Sequence, residues 1–153
     1  MKMDVVAGSR NDEYYTPAYA VYPIAKYIPL TATIWCPFDT DESHFVKVFK
    51  GRGNPVVVSH LQTGKDFFSF IPEKHIDYII SNPPYSKRTE ILELLFYKTI
   101  PFAMLVGIVG LFESQRRFAM FRENQFEVMY LNRRIPFFKD FNAFFLPILL
   151  AAI

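Results

Sequence analysis

The hydrophobic positions of this chain change period repeatedly, and the alternation outlines its elements. Ala18, Val21, Tyr22 and Ala25 recur at helical spacing, and the Thr16-Pro17 pair ahead of them suits a helix N-cap and first helical position. Residues 31–37, with Ala32, Ile34 and Trp35, are predicted as a strand. Phe45, Val46 and Phe49 mark one face of a short helix over 43–50. Residues 55–60 hold three valines in a row, the pattern of a strand buried in a parallel sheet. The apolar run 76–80 predicts another strand. Beyond it the pattern is helical over 89–98, extended over 101–110, helical over 113–121, and extended over 126–131 and 143–153. Strands alternating with helices predict an α/β three-layer sandwich with a mostly parallel sheet.

Composition narrows the class. A chain of 153 residues is enough for one domain and one core. Its 51% hydrophobic content excludes a disordered chain. The single cysteine, Cys36, excludes a disulfide framework and a cysteine-based zinc site, and no metal is expected. A net charge of +2 permits nucleic-acid binding without arguing for it. Residues 1–11 show no period and are expected to be flexible, with 12–153 forming a single domain. The first residues lack the apolar core of a signal peptide, and the apolar runs at 101–112 and 141–153 are too short to span a bilayer. A cytoplasmic protein is expected.

The candidate chemistry lies where the run 76–80 stops, at Ser81-Asn82-Pro83-Pro84-Tyr85. Neither proline has an N–H to give to a sheet ladder, so the strand must end and the backbone is held stiff. In an open α/β sheet the carboxyl ends of the strands are where ligands bind. A rigid polar turn there suits a planar amino group such as the exocyclic amine of adenine. That amine is a poor nucleophile because its lone pair is delocalised into the ring. Two acceptors against its N–H bonds draw it toward tetrahedral geometry; the Asn82 amide oxygen and the Pro83 carbonyl supply them, with Pro84 fixing the turn. Tyr85 offers a ring for stacking. Such a site works by positioning and oriented dipoles alone.

This string resembles the signature of the amino-group methyltransferases that use S-adenosylmethionine. Closest are the DNA adenine-N6 methyltransferases, notably the short forms of phages and prophages, which act in the cytoplasm of a bacterial or phage-infected cell. The resemblance covers roughly residues 12–137 and implies the Rossmann-like methyltransferase fold, with its last strands forming an antiparallel pair at one edge. It implies S-adenosylmethionine as cofactor and DNA as partner. Tyr15, Thr16 and Pro17 match a Thr-Pro entry that contacts the methionine part of the cofactor. Pro37 matches a family proline, and Cys36 stands where an acid is common. Asp39 and Asp41 replace a glycine-rich turn, for no glycine lies between Arg10 and Lys50. Asp39 is the first candidate, and Asp41 the second, to pair with the cofactor's amino group. Ser59 and His60 end the strand where the wider fold keeps a carboxylate for the ribose, and Ser59 is taken as the ligand. Asp66 and Phe67, with Phe68 possible, match the element that meets the cofactor's adenine.

On the target side the resemblance adds a second aromatic, Phe137 or alternatively Phe138. Pro84, Lys87, Arg133 and Arg134 are further candidate contacts; Lys87 and Arg88 beside the motif suit phosphates or a solvated surface equally. Gly107 and Gly110 break the strand over 101–110 where backbone passes close to another group. The expected activity is methyl transfer to adenine N6 in DNA. Two alternatives stay open: the same chemistry on a protein glutamine, whose methyltransferases share Asn-Pro-Pro-Tyr, and a binding module with little turnover. The bare Leu-Leu-Ala-Ala-Ile end suggests a member shortened at its C-terminus.

Overall fold

In a computed structural model, the structure describes residues 16–108, 110–133, 135 and 148–151. The elements run α1 (Ala18–Ala25), β1 (Ile34–Cys36), α2 (His44–Gly51), β2 (Val56–Val58), β3 (Tyr78–Ser81), α3 (Arg88–Lys98), β4 (Phe102–Leu105), α4 (Gln115–Glu123), β5 (Glu127–Met129) and β6 (Ile148–Ala151). The expected flexibility of residues 1–11 falls outside the described residues.

Six strands form one sheet in the order β2-β1-β3-β4-β6-β5. The first four are parallel: Ile34 pairs with Val56 on one side and Tyr78 on the other, and Ile79 with Phe102. β6 runs antiparallel to both β4 and β5. The chain moves outward from β1 to β2, then crosses to the other side of β1 to lay down β3. That reversal opens a crevice above the carboxyl ends of β1 and β3.

Period-two alternation along the inner strands splits the core in two. Ile34, Cys36, Ile80, Ala103 and Leu105 face α1 and α2, meeting Val21, Ile24, Phe45, Val46 and Phe49. Trp35, Ile79, Phe102 and Met104 face the opposite way, onto Ile91, Leu92 and Leu95 of α3 and Met120 and Phe121 of α4. Helices therefore cover both faces, as the alternation of elements predicts.

The differences from the sequence reading are local. The hydrogen-bonded strands are shorter than the apolar runs, because the flanking residues turn into loops. β2 is half-buried rather than buried, since it lies at the edge of the sheet. Pro17, not Thr16, is the N-cap residue of α1, and no side chain caps that helix. α3 likewise begins without a side-chain cap; the Thr89 hydroxyl accepts from Arg117 at 3.0 Å. Arg117 also donates to the carbonyls of Leu111 and Gly110, at 2.9 and 2.6 Å, and so ties the segment after β4 to α3.

This layering sets a stability contrast. Phe49, fully buried between α2 and the sheet, should lose about 3–5 kcal/mol on replacement by alanine. Tyr97, 83% exposed on α3, should lose within about 0.5 kcal/mol. Urea unfolding of Phe49→Ala and Tyr97→Ala checks this; equal midpoints would contradict the placement of the core.

Candidate active site

The carboxyl ends of β1, β2, β3 and β4 converge on a cavity of about 350 Å³. Pro37 and Phe38 enter it from β1, and His60, Leu61 and Gln62 from β2. Asp66, Phe67 and Phe68 line it from the loop before β3, and the unbroken run Asn82 to Arg88 from the loop after it. Ile91, Leu105, Val106 and Gly107 complete the wall. Residues far apart in the chain, Asp66–Phe67 and Asn82–Tyr85, thus share one cavity, as the resemblance implied.

Phe67 is buried, its ring centroid 5.0 Å from Phe38 and 5.5 Å from Trp35. These rings make a rigid apolar shelf beside the exposed Asp66, whose carboxylate accepts the Phe68 N–H at 3.0 Å. His60 is half-buried, and burial pushes its imidazole below its ordinary pKa. Its Nδ1 accepts the Gln62 N–H at 2.9 Å, so the neutral ring carries its proton on Nε2. His60 is therefore a hydrogen-bond donor at the position where a carboxylate acceptor is usual in the resembled family.

On the other side of the cavity Pro83 is buried, and Asn82, Pro84 and Tyr85 are half-buried. The Asn82 side-chain nitrogen donates to the Thr16 hydroxyl at 3.2 Å. Its amide oxygen accepts from no group among the described residues. The Arg88 guanidinium stands 4.3 Å from the Tyr85 ring centroid, within cation–π range, and donates to the Gly107 carbonyl at 3.1 Å. Arg88 is buried rather than a solvated cation, because it lies under Tyr85 and bridges the ends of β3 and β4. It also bears on Gly110. Gly110 has φ +72°, and a Cβ there would stand 3.2 Å from the guanidinium. Lys87 alone of the two stays exposed at the cavity, its ammonium 5.8 Å from the Phe68 ring centroid.

Several sequence candidates lie elsewhere. Ser59 is buried, and its hydroxyl accepts the Trp35 indole N–H at 2.9 Å. Facing a core tryptophan, it does not line the cavity; His60 does. Asp39 is also buried and off the cavity wall, its two carboxylate oxygens accepting from the Ser43 and Ser81 hydroxyls. That satisfaction withdraws it from the role of a free anion for the cofactor's amino group and makes it a strut between the end of β1 and the end of β3. Asp41 is at the surface, paired with Lys50 at 3.1 Å. Thr16 touches the site through Asn82, while Pro17 does not line the cavity. Arg133 lies over the Tyr19 ring of α1, 4.7 Å from its centroid, rather than in the cavity. Tyr15, Arg134, Phe137 and Phe138 lie outside the described residues.

Among the described residues no group of three or more His, Cys, Asp or Glu could hold a metal ion, and no helix is long and apolar enough to cross a membrane. Cys36 is held as a thiol: burial raises its pKa first, and the neighbouring Asp39 charge adds to that.

No protein-family model matches the chain, and no curated protein sequence does. Among solved structures it is similar to the methyltransferase subunit of a type I restriction-modification system from Streptococcus thermophilus. The TM-score is 0.52 at 14% identity, over 97% of this chain and 46% of that one. The chain thus spans about half the length of that subunit. At this identity the likeness is one of fold: a mixed α/β chain with a largely parallel sheet, similar to that of a methyltransferase.

The Asp39 strut generates a pH prediction. Burial raises its carboxyl from 3.8 to about 6, against the two serine hydrogen bonds, which lower it. A folded-state pKa above the unfolded one means that the native state holds the extra proton between about pH 4 and 6. The associated stability is complete below pH 4 and is lost as pH rises through 6. Asp39→Asn stays neutral, so relative to the parent it should gain up to about 3 kcal/mol between pH 4 and pH 7. Urea unfolding across this range measures the difference; a pH-independent gap would mean that Asp39 is charged throughout.

Proposed function

We propose that this chain is a Rossmann-like, three-layer methyltransferase domain that transfers methyl from S-adenosylmethionine to the N6 amine of adenine in DNA. One observation carries the reading above the others. The Asn82 amide is held by its nitrogen, its oxygen has no hydrogen-bond partner among the described residues, and Asn82 lines the cavity together with Pro83 and Tyr85. Two acceptors, Asn82 Oδ1 and the Pro83 carbonyl, suit a planar NH₂ group, and Tyr85, stiffened by Arg88, suits the face of its ring. The strand order, with β6 antiparallel between β4 and β5, supports the fold assignment.

The cavity is compatible with the cofactor. Its volume lies in the range that small ligands fill. Asp66 can accept from an adenine amine while Phe67 and Phe38 pack the ring, and the His60 Nε2–H can donate to a ribose hydroxyl. Bound there, S-adenosylmethionine supplies an electrophilic methyl. The chain's own groups bind and orient the amine: Asn82 and Pro83 accept from it, Tyr85 fixes its ring plane, and the apolar wall of Ile91, Leu105 and Val106 limits access of water. Lys87, exposed at the cavity, is placed to meet a phosphate of the target strand.

Labelled methyl transfer to unmethylated DNA, followed by nucleoside analysis and run beside a release-factor substrate, tests the reaction and its acceptor. Asn82→Ala should lower transfer to DNA by ~10²–10³ with cofactor affinity unchanged. Near-parent turnover of Asn82→Ala would sink the assignment.

A second reading, a binding module with slow turnover, draws on the cofactor side. Asp39 and Ser59, two of the proposed anchors, are committed to Ser43, Ser81 and Trp35. Each charged hydrogen bond lost removes ~1.5–3 kcal/mol, so affinity should fall roughly tenfold to a hundredfold below that of a full-motif enzyme. A dissociation constant in the tens of micromolar or above is expected by calorimetry, about the level such losses imply. Sub-micromolar binding would show that His60 and Asp66 compensate fully.

A further inference from the structure

We propose that Thr16 is a positioning residue that holds the Asn82 amide in the orientation that leaves its oxygen for the reacting amine. The inference rests on the methyltransferase reading above and departs from the cofactor contact that the Thr-Pro resemblance implied. Four observations support it. Thr16 is buried, although it precedes the first described helix. Its hydroxyl does not cap that helix; it accepts from Asn82 Nδ2 at 3.2 Å, across 66 positions of sequence. Its carbonyl is held by His44 Nδ1 of α2 at 2.9 Å, so the backbone carrying the hydroxyl is anchored independently. Neither Thr16 nor Pro17 lines the cavity.

The chemistry needs this control. A side-chain amide has an acceptor end and a donor end of nearly the same shape. With the oxygen toward the target, Asn82 draws on an N–H bond of the amine. With the nitrogen there, it presents two N–H donors to a group that must itself donate, and the site is blocked. In the observed rotamer the Thr16 hydroxyl accepts from Nδ2 at 3.2 Å, and this hydrogen bond holds the amide with its oxygen left for the amine. The prolines fix the backbone of the turn, but they leave the terminal torsion of Asn82 free, and that torsion is intrinsically two-fold.

Three variants and two readouts test this. Thr16→Val keeps the shape and removes the acceptor, Thr16→Ser keeps the acceptor, and Thr16→Ala guards against a valine that fails to fold. In ¹H–¹⁵N spectra the Asn82 side-chain resonances, identified by their loss in Asn82→Ala, should move upfield in Thr16→Val and Thr16→Ala. They should return to the parent position in Thr16→Ser. In the methyl-transfer assay Thr16→Val should lower kcat roughly tenfold, the effect of one hydrogen bond, with the cofactor Kd within about twofold of the parent. Thr16→Ser should restore kcat, and Thr16→Val should have no further effect in an Asn82→Ala background. Unmoved Asn82 resonances, an additive double variant, or a loss of cofactor affinity without a loss of kcat would each overturn the proposal. If the parent itself transfers no methyl, the methyltransferase reading fails, and the amide resonances still decide whether Thr16 holds Asn82.

Discussion

At Pro83 the chain must leave the sheet, and the site depends on that constraint. Ser81 is the last residue of β3, paired with Met104 of β4, and the two following prolines cannot extend the ladder. The turn they form is stiff, and it stands in the crevice made by the reversal of strand order between β1 and β3. Everything placed on it inherits that rigidity. Asn82 sits at the mouth of the strand, Tyr85 opens a short helical turn, and Arg88 begins α3 directly behind them.

Around this turn the structure uses polar contacts between elements to hold single side chains. Asp39 accepts from Ser81 and so ties the loop after β1 to the residue before Asn82. Thr16 holds the Asn82 amide itself. Arg88 backs Tyr85 and bonds the carbonyl of Gly107, which links the motif to the end of β4. Three neighbours on three different elements thus converge on one short loop. Such support is what a site needs when it works by orienting dipoles rather than by shifting pKa values. Among the described residues the one strongly shifted carboxyl, Asp39, is in the support and not on the cavity wall.

The opposite wall, the proposed cofactor side, is built differently. It is an aromatic shelf of Phe38, Phe67 and Trp35 with Asp66 at the rim and a neutral imidazole at the end of β2. Among the described residues no glycine turn follows β1; Pro37 and Phe38 line the cavity there. The likeness in fold to the restriction-modification methyltransferase subunit therefore coexists with a distinct set of candidate cofactor contacts.

Local physics made much of this legible in one dimension. The switch between periods of two and near four outlined the strands and helices, and two consecutive prolines dictated where β3 ends. The place of Asn82 and Tyr85 followed from the end of β3, and that of Asp66 and Phe67 from the family resemblance. What the sequence could not decide was the direction and partner of each polar side chain. Ser59 and His60 are neighbours, yet the pleat sends one to Trp35 and the other to the cavity. Asp39 reads as a free acid until the fold brings Ser81 of β3 against it, beside Ser43 four residues on. Arg88 reads as surface beside Lys87, but as the first residue of α3 it is turned inward under Tyr85. Thr16 reads as a helix cap, and packing hands its hydroxyl to an amide 66 residues away. Secondary structure responds to residues a few positions apart, so a single chain carries its pattern. A hydrogen bond belongs to whichever partner the packed layers bring within reach, and only the folded chain makes that choice.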